Sequence, residues 1–408
     1  MRAQFVLFAA GLALLAGPGA AQLGLPVPPP VPIADPVTGQ LAGTLGALER
    51  GVAREAERLL ELRTARIDRL LRRERDAIER DAAGAPARRG ILLALDASPA
   101  ELGAAAEAGF EVIAAERLEG LDLGLVRLRV PEGRRLATAE AELAALMPGA
   151  TISADHLYFS SGYTASMPIR LQSAVAVPIS TPVGVIDGGV DPAAGLLAIK
   201  GIASGAPRAS NHGSAIVSLL RHAGVRQLRL ADVYGNDPAG GNALAVARAL
   251  GWLVAEGSEV VNISLVGPPN ALVERAIGRA QDKGVVIVAA VGNDGPAAPP
   301  AYPASYVGVV AVTGVDRRNR PLIEAGRALH IDYAAPAADV VGLDARGRRI
   351  KLRGTSYASP LAAARVAAAL SAGGSWRLRL DREAVDLGKP GPDPRFGRGL
   401  LCGRCRPS

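Results

Sequence analysis

From Leu228 to Val312 the apolar positions follow two alternating rhythms. Short unbroken apolar runs at Leu228–Tyr234, Glu259–Leu265, Val285–Ala290 and Tyr302–Val312 read as buried strands, the last of them opened by a turn. Between them, Ala243–Glu256 and Ala271–Lys283 repeat their apolar residues at helical spacing. Buried strands alternating with amphipathic helices predict an α/β fold, a parallel sheet wrapped by helices.

The chain before this region has other rhythms. Strands are expected at Ile91–Asp96, Phe110–Ala115, Leu123–Val130 and Thr151–Leu157, with helices at Pro99–Ala108 and Arg135–Leu146. That β-α-β-β-α-β order predicts a small ferredoxin-like α+β domain over 89–158. Upstream, Leu45, Leu48, Val52, Leu59, Ile67, Leu71 and Ile78 recur at mostly helical spacing among arginines and glutamates, which predicts a long charged helix over 41–85. Pairing as a coiled coil, packing on the rest of the protein and serving as a solvated spacer all fit that pattern. Residues 22–40, with Pro28 to Pro30, read as a Pro-rich linker. Residues 1–21 combine Arg2, an apolar run from Phe5 to Ala16 and the small residues Gly19, Ala20 and Ala21, the pattern of a secretory signal peptide cut after Ala21. The run is too short to span a bilayer, so no transmembrane segment is expected after signal cleavage, and the mature chain is expected to be secreted or periplasmic.

Composition narrows this picture. A chain of 408 residues suggests two or three folded units, and 49% hydrophobic residues with only 3% aromatics mean that aliphatic side chains must fill the core. The net charge of +7 comes mostly from arginines interspersed with acids, without a basic block interleaved with aromatics, so nucleic acid is not an expected partner. Cys402 and Cys405 lack the further ligands of a zinc site and the helix context of a redox motif. A local disulfide is the expectation.

Four segments carry chemistry. Asp187 follows the apolar run Val183–Ile186, His212 sits in Asn211–Val217, Ser356 in Gly354–Pro360, and Asn293 in Ala289–Gly295. Singly, such residues also serve as strand-end caps, helix starts and N-caps. In the order Asp, His, Ser they supply what a serine nucleophile needs, an imidazole to take its proton and a carboxylate to orient that imidazole. Asn293 adds a donor for an oxyanion.

These frames resemble the motifs of the subtilases, the subtilisin-like serine peptidases, over roughly residues 178–404. The resemblance implies a subtilisin-like fold and a serine endopeptidase in which Ser356 is the nucleophile, His212 the general base and acid, Asp187 the orienting carboxylate and Asn293 the oxyanion donor. It implies that Ser264, Leu265, Val266 and Gly267 form one wall for an extended substrate, and Ala290, Val291 and Gly292 the other. Val266 stands where the family usually has glycine, which narrows the pocket, and Asp294 near the rim is a candidate contact for a basic residue. Ala215, Ala337 and Ala364 replace family residues without touching the chemistry. His156, His222 and His330 read as structural or surface histidines. The partners implied are protein or peptide substrates and the chain's own 89–158 domain, which resembles an intramolecular propeptide inhibitor and whose removal would require a cut between Tyr158 and Thr181. An unrelated small α/β domain is the other reading of 89–158. No cofactor or metal is expected, and calcium ligands cannot be mapped. An alternative function is a subtilase-like pseudoenzyme that binds or scaffolds through the 41–85 helix.

Overall fold

The computed structural model describes residues 36–160, 163–166, 177–403, 405 and 407. The expected signal peptide and most of the Pro-rich linker lie outside the described residues, as does much of the expected cleavage window. The chain divides into Met1–Arg50 and Gly51–Ser408, and the description below concerns the second unit.

Helix α1 runs Pro36–Arg73 and ends on Arg72 and Arg73, whose charges suit the negative pole of a helix C-terminus. Its buried residues Leu59 and Ile67 and the partly buried Leu70 and Leu71 share one face. The helix does not reach residue 85. Ile78–Arg80 forms strand β1, because Ile78 is buried against Leu157 and Ala239 and its backbone pairs with the next strand.

Strands β2 (Pro86–Leu95), β3 (Glu111–Leu118), β4 (Leu123–Arg129) and β5 (Thr151–His156) build an antiparallel sheet with β4 and β5 flanking β2 and β3 outside β4. Helices α2 (Pro99–Glu107) and α3 (Leu136–Leu146) cover one face, over a core of Leu92, Ala94, Leu128, Leu136, Leu143 and Met147. Helix α2 opens with a capping box: Ser98 Oγ accepts from Glu101 N, and Glu101 accepts from Ser98 N at 2.9 Å.

The second sheet is parallel and seven-stranded. Its strands are β8 (Val183–Asp187), β9 (Ala198–Gly201), β10 (Leu228–Asp232), β11 (Val260–Ile263), β13 (Val286–Ala290), β14 (Val310–Val315) and β15 (Tyr333–Pro336), in the order β15-β14-β13-β11-β8-β10-β9. Helices α4 (Asn211–His222) and α7 (Thr355–Ser371) pack on one face, and α5 (Ala243–Ala255) and α6 (Ala271–Asp282) on the other. Alternation sorts the strands: Val183 and Val185 join the α4/α7 core, Ile186 the α5/α6 core. The chain starts at β8, leaves first toward β10 and β9 and later toward β11 and beyond, so the C-terminal end of β8 is where the strand order reverses. Open parallel sheets place ligands at that point.

The small sheet is buried on both faces. Leu93, Leu95, Leu121 and Leu125 on its second face belong to the same core as Leu250, Leu253 and Ile277 of α5 and α6. Two further pairings extend from the chain beyond β5. Strand β6 (Phe159–Ser160) lies antiparallel to β12 (Leu265–Val266), and β7 (Tyr163–Ser166) joins β17 (Arg349–Arg353), which also pairs with β16 (Ala338–Leu343). Helix α8 (Trp376–Glu383) follows α7, and Cys402 and Cys405 are joined as a disulfide.

Candidate active site

Asp187 is the last residue of β8, at the reversal point, and is fully buried. Its Oδ1 accepts from Gly188 N at 2.8 Å, and both carboxylate oxygens lie 2.9 Å from His212 Nδ1. With a carboxylate as acceptor, Nδ1 carries the hydrogen and Nε2 presents its lone pair. Nε2 is buried and has no hydrogen-bond partner among the described residues.

His212 is held by the start of α4. Ser210 caps the helix by accepting from Gly213 N at 2.9 Å. Gly213 cannot be replaced without movement, since a Cβ there would sit 2.0 Å from Gly188 O. The helix start and the end of β8 are therefore pressed together, which brings the imidazole to the carboxylate.

Ser356 is the second residue of α7 and is buried, its Oγ 3.3 Å from Ser264 O. Gly354, with φ at +136°, makes the turn that launches this helix. A chain of buried bonds sets its depth: Ser264 Oγ donates to Ser356 O at 2.9 Å, Asn262 Nδ2 to Ser264 Oγ at 3.0 Å, and Ser359 Oγ to Asn262 Oδ1 at 2.7 Å. Tyr357 packs beside the imidazole, with ring centroids 5.5 Å apart.

Asn293 lies just past β13. Thr355 N–H donates to Asn293 Oδ1 at 2.9 Å, and Thr355 Oγ1 donates to Gly292 O at 3.0 Å. Because an N–H can only donate, Oδ1 must face Thr355, which turns Nδ2 away. That buried amide nitrogen has no acceptor among the described residues. An unused buried donor is costly unless something it is meant to meet completes it.

Four of the seven residues expected to line the substrate cleft, Val266, Gly267, Val291 and Gly292, line a cavity of about 280 Å³. Val266 and Gly292 oppose one another, a Cβ on Gly292 falling 3.2 Å from Val266 Cγ1. Leu265 is buried in the α5/α6 core, Ala290 closes β13 and Ser264 lies beneath Ser356, so these three support the walls from behind. Tyr158, just before β6, is fully buried: its backbone N–H donates to Gly241 O at 2.8 Å, its carbonyl accepts from Tyr234 at 2.9 Å and its hydroxyl donates to Pro268 O at 3.0 Å. Gly267 admits the ring, since a Cβ there would lie 2.7 Å from it.

Residues 181–397 match the model of the Subtilase family, more than half of the chain. The chain belongs to the subtilase family. Among relatives, subtilisin BL of Lederbergia lenta is 31% identical over 191 residues, covering 45% of this chain and 69% of that one. Subtilisin Savinase of the same organism is 32% identical over 167 residues, 40% of this chain and 61% of that one. The minor extracellular protease Epr of Bacillus subtilis is 28% identical over 199 residues, which is 47% of this chain but only 30% of Epr. Fervidolysin from Fervidobacterium pennivorans superposes with a TM-score of 0.64 at 16% identity, over 78% of this chain and 61% of its own. The epidermin leader peptide processing serine protease of Staphylococcus aureus gives 0.57 at 16% identity, over 76% of this chain and 96% of its own. The fold is thus the subtilisin-like α/β fold.

Within this subtilase the sequence brings the Asp187, His212, Ser356 and Asn293 frames to one end of the sheet. It does not announce Asn262, Ser359 or Tyr158, whose partners lie far away along the chain. His156 is interior rather than catalytic in placement: Asn270 Nδ2 donates to its Nδ1 at 2.9 Å, and its Nε2 meets Asp81 at 2.8 Å. Among the described residues no group of three or more His, Cys, Asp or Glu side chains is gathered as for a metal, and no helix is long and apolar enough to cross a membrane.

Proposed function

We propose that this chain is an exported serine endopeptidase made as a self-inhibited precursor, with Ser356 as nucleophile, His212 as general base and acid, Asp187 as orienting carboxylate and Asn293 as oxyanion donor. The observation that carries it is the pair of complementary unused groups: the Nε2 lone pair of an imidazole fixed by Asp187, and the Nδ2–H of Asn293. Ser356 Oγ attacks the peptide carbonyl carbon as its proton passes to His212 Nε2. The oxyanion so formed takes the Asn293 amide and the Ser356 backbone N–H. Collapse breaks the C–N bond while His212 hands the proton to the departing amine, and water then repeats the sequence in reverse roles to free the acyl group.

The precursor reading rests on how the chain passes the site. β6 pairs with β12 in the register Ser160 opposite Leu265, β7 pairs with β17 just before Ser356, and Ser160 borders a cavity shared with Asp187 and His212. Residues 161 and 162 join these two strands and lie outside the described residues. The described strands on either side of residues 161 and 162 thus border the site, where the Ser264 carbonyl is the neighbour of Ser356 Oγ, which supports a cut between Tyr158 and Thr181. The signal-peptide pattern of residues 1–21 supports export, and one relative is named an extracellular protease. The intact set of four residues argues against the pseudoenzyme alternative. Intact mass, N-terminal sequencing and fluorophosphonate labelling test the reading together. Wild type should label at Ser356 and yield a fragment beginning between Tyr158 and Thr181, whereas Ser356→Ala should stay unlabelled and uncut. An uncut, unlabelled wild type refutes it.

A further inference from the structure

We propose that helix α1 is an inhibitory cover over the substrate cleft in its own right, separate from the 89–158 domain and fastened by Asp294; this rests on the peptidase reading above. Leu59, Arg63, Arg66 and Ile67 recur at i, i+4, i+7 and i+8, so they share one face of the helix. That face looks at the peptidase. Arg63, Arg66 and Ile67 line the cavity of about 280 Å³ from one side, and Val266, Gly292 and Asp294 line it from the other. The two walls expected to hold an extended substrate are therefore covered by a helix of the same chain.

Polar and apolar contacts fasten it together. Arg66 Nη2 donates to Asp294 Oδ1 at 2.9 Å, and Arg63 Nε lies 3.2 Å from Oδ2. The carboxylate is only 18% exposed, and the two guanidinium groups offset the cost of burying its charge. Asp294 directly follows Asn293, which sets the ion pairs beside the site itself. Leu59 and Ile67 are buried, and Leu59 lies 3.0 Å from where a Cβ on Gly295 would stand, so the helix comes down on the same turn. None of these contacts involves residues 89–158, whose sheet docks instead through the core it shares with α5 and α6. Helix α1 precedes the window between Tyr158 and Thr181, so a cut there leaves it in place until its own contacts break. The enzyme freed from an α1 variant has the same sequence as the wild-type enzyme, and a difference in how soon activity appears therefore belongs to the helix.

The test follows the full-length chain by intact mass and by cleavage of a fluorogenic peptide, and reads the interval between cutting and the appearance of activity. Arg63→Ala with Arg66→Ala should shorten that interval by about tenfold. Arg63→Lys with Arg66→Lys should keep most of it, and Arg69→Ala, which removes the same charge from an exposed position of α1, should leave it unchanged. High salt should shorten the wild-type interval but not that of the double alanine variant, because partly exposed ion pairs are screened. A readout independent of activity is hydrogen exchange in the uncut Ser356→Ala precursor. There the double alanine substitution should speed exchange over residues 59–67 while β5, at the other docking surface, stays as protected as before. Equal loosening of β5, or no change over 59–67, overturns the separate cover. Fluorophosphonate labelling keeps the two readings apart. Labelled enzyme whose interval ignores the α1 substitutions, or uncut wild type that cleaves the peptide as fast as cut, overturns the role of α1 alone, whereas wild type that never labels overturns the peptidase reading and this one with it.

Discussion

At Asn293 one bond sets the orientation of the amide. Thr355 N–H claims the amide oxygen, so the nitrogen is left pointing away with nothing to donate to among the described residues. If charge develops opposite it only in the transition state, Asn293→Ala should lower kcat by about 100- to 1000-fold while KM moves little. Steady-state kinetics on a peptide ester checks this, and a rise in KM at constant kcat would assign Asn293 to ground-state binding. Asn293 was legible in the sequence because its short frame is local. So were Asp187, His212 and Ser356. The supporting roles of Asn262 and Ser359 were not, because the Ser359–Asn262 and Ser264–Ser356 bonds depend on β11 and α7 meeting across a long separation, and no local pattern marks a polar residue that will be buried by a distant helix.

Among the elements, the alternating strands and helices of the large sheet were readable because burial on both faces forces unbroken apolar runs. Strand β1 was misread as helix, since Ile78 continues the helical spacing of α1 and only its pairing with β2 reveals it. The contact between β5 and α5 sets a pH dependence. Asp155, at the end of β5, is fully buried, and burial pushes its carboxyl up to about 6 against the Leu244 N–H and the positive charges of Arg88, His156 and Arg127. Arg88 is shared with Asp237. A carboxyl raised above its ordinary value favours the docked state most fully below the ordinary carboxylate range, near pH 4, and that contribution is lost as pH rises through about 6. The cut 89–158 domain should therefore dissociate faster at pH 7.5 than at pH 5. Asp155→Asn, which accepts from Leu244 but does not titrate, should flatten the dependence, as measured by the rate of activity gain after cutting.

Across the whole molecule, the position of the site follows from topology: the sheet reverses its order at β8, and Asp187, Ser264 and Asn293 all sit at or just past the same ends of its strands. The alternation in the sequence implied the sheet but not the reversal, which depends on which strands become neighbours. The small sheet shares one core with α5 and α6, to which Leu93, Leu95, Leu250 and Leu253 all belong. While the chain is continuous, that shared core is a feature of a single body. Once the chain is cut in the proposed window between Tyr158 and Thr181, it becomes an encounter between two molecules, governed by mass action rather than by tether length. Concentration then acts as the release valve: a crowded preparation of cut protein should hold itself silent, and the same preparation diluted a hundredfold or so should wake without any further cleavage, its specific activity climbing as the inhibitory partner is lost to the bulk. Progress curves at a series of dilutions would show it, and curves that superpose at every concentration would mean that the fragment, once cut, never leaves by simple dissociation.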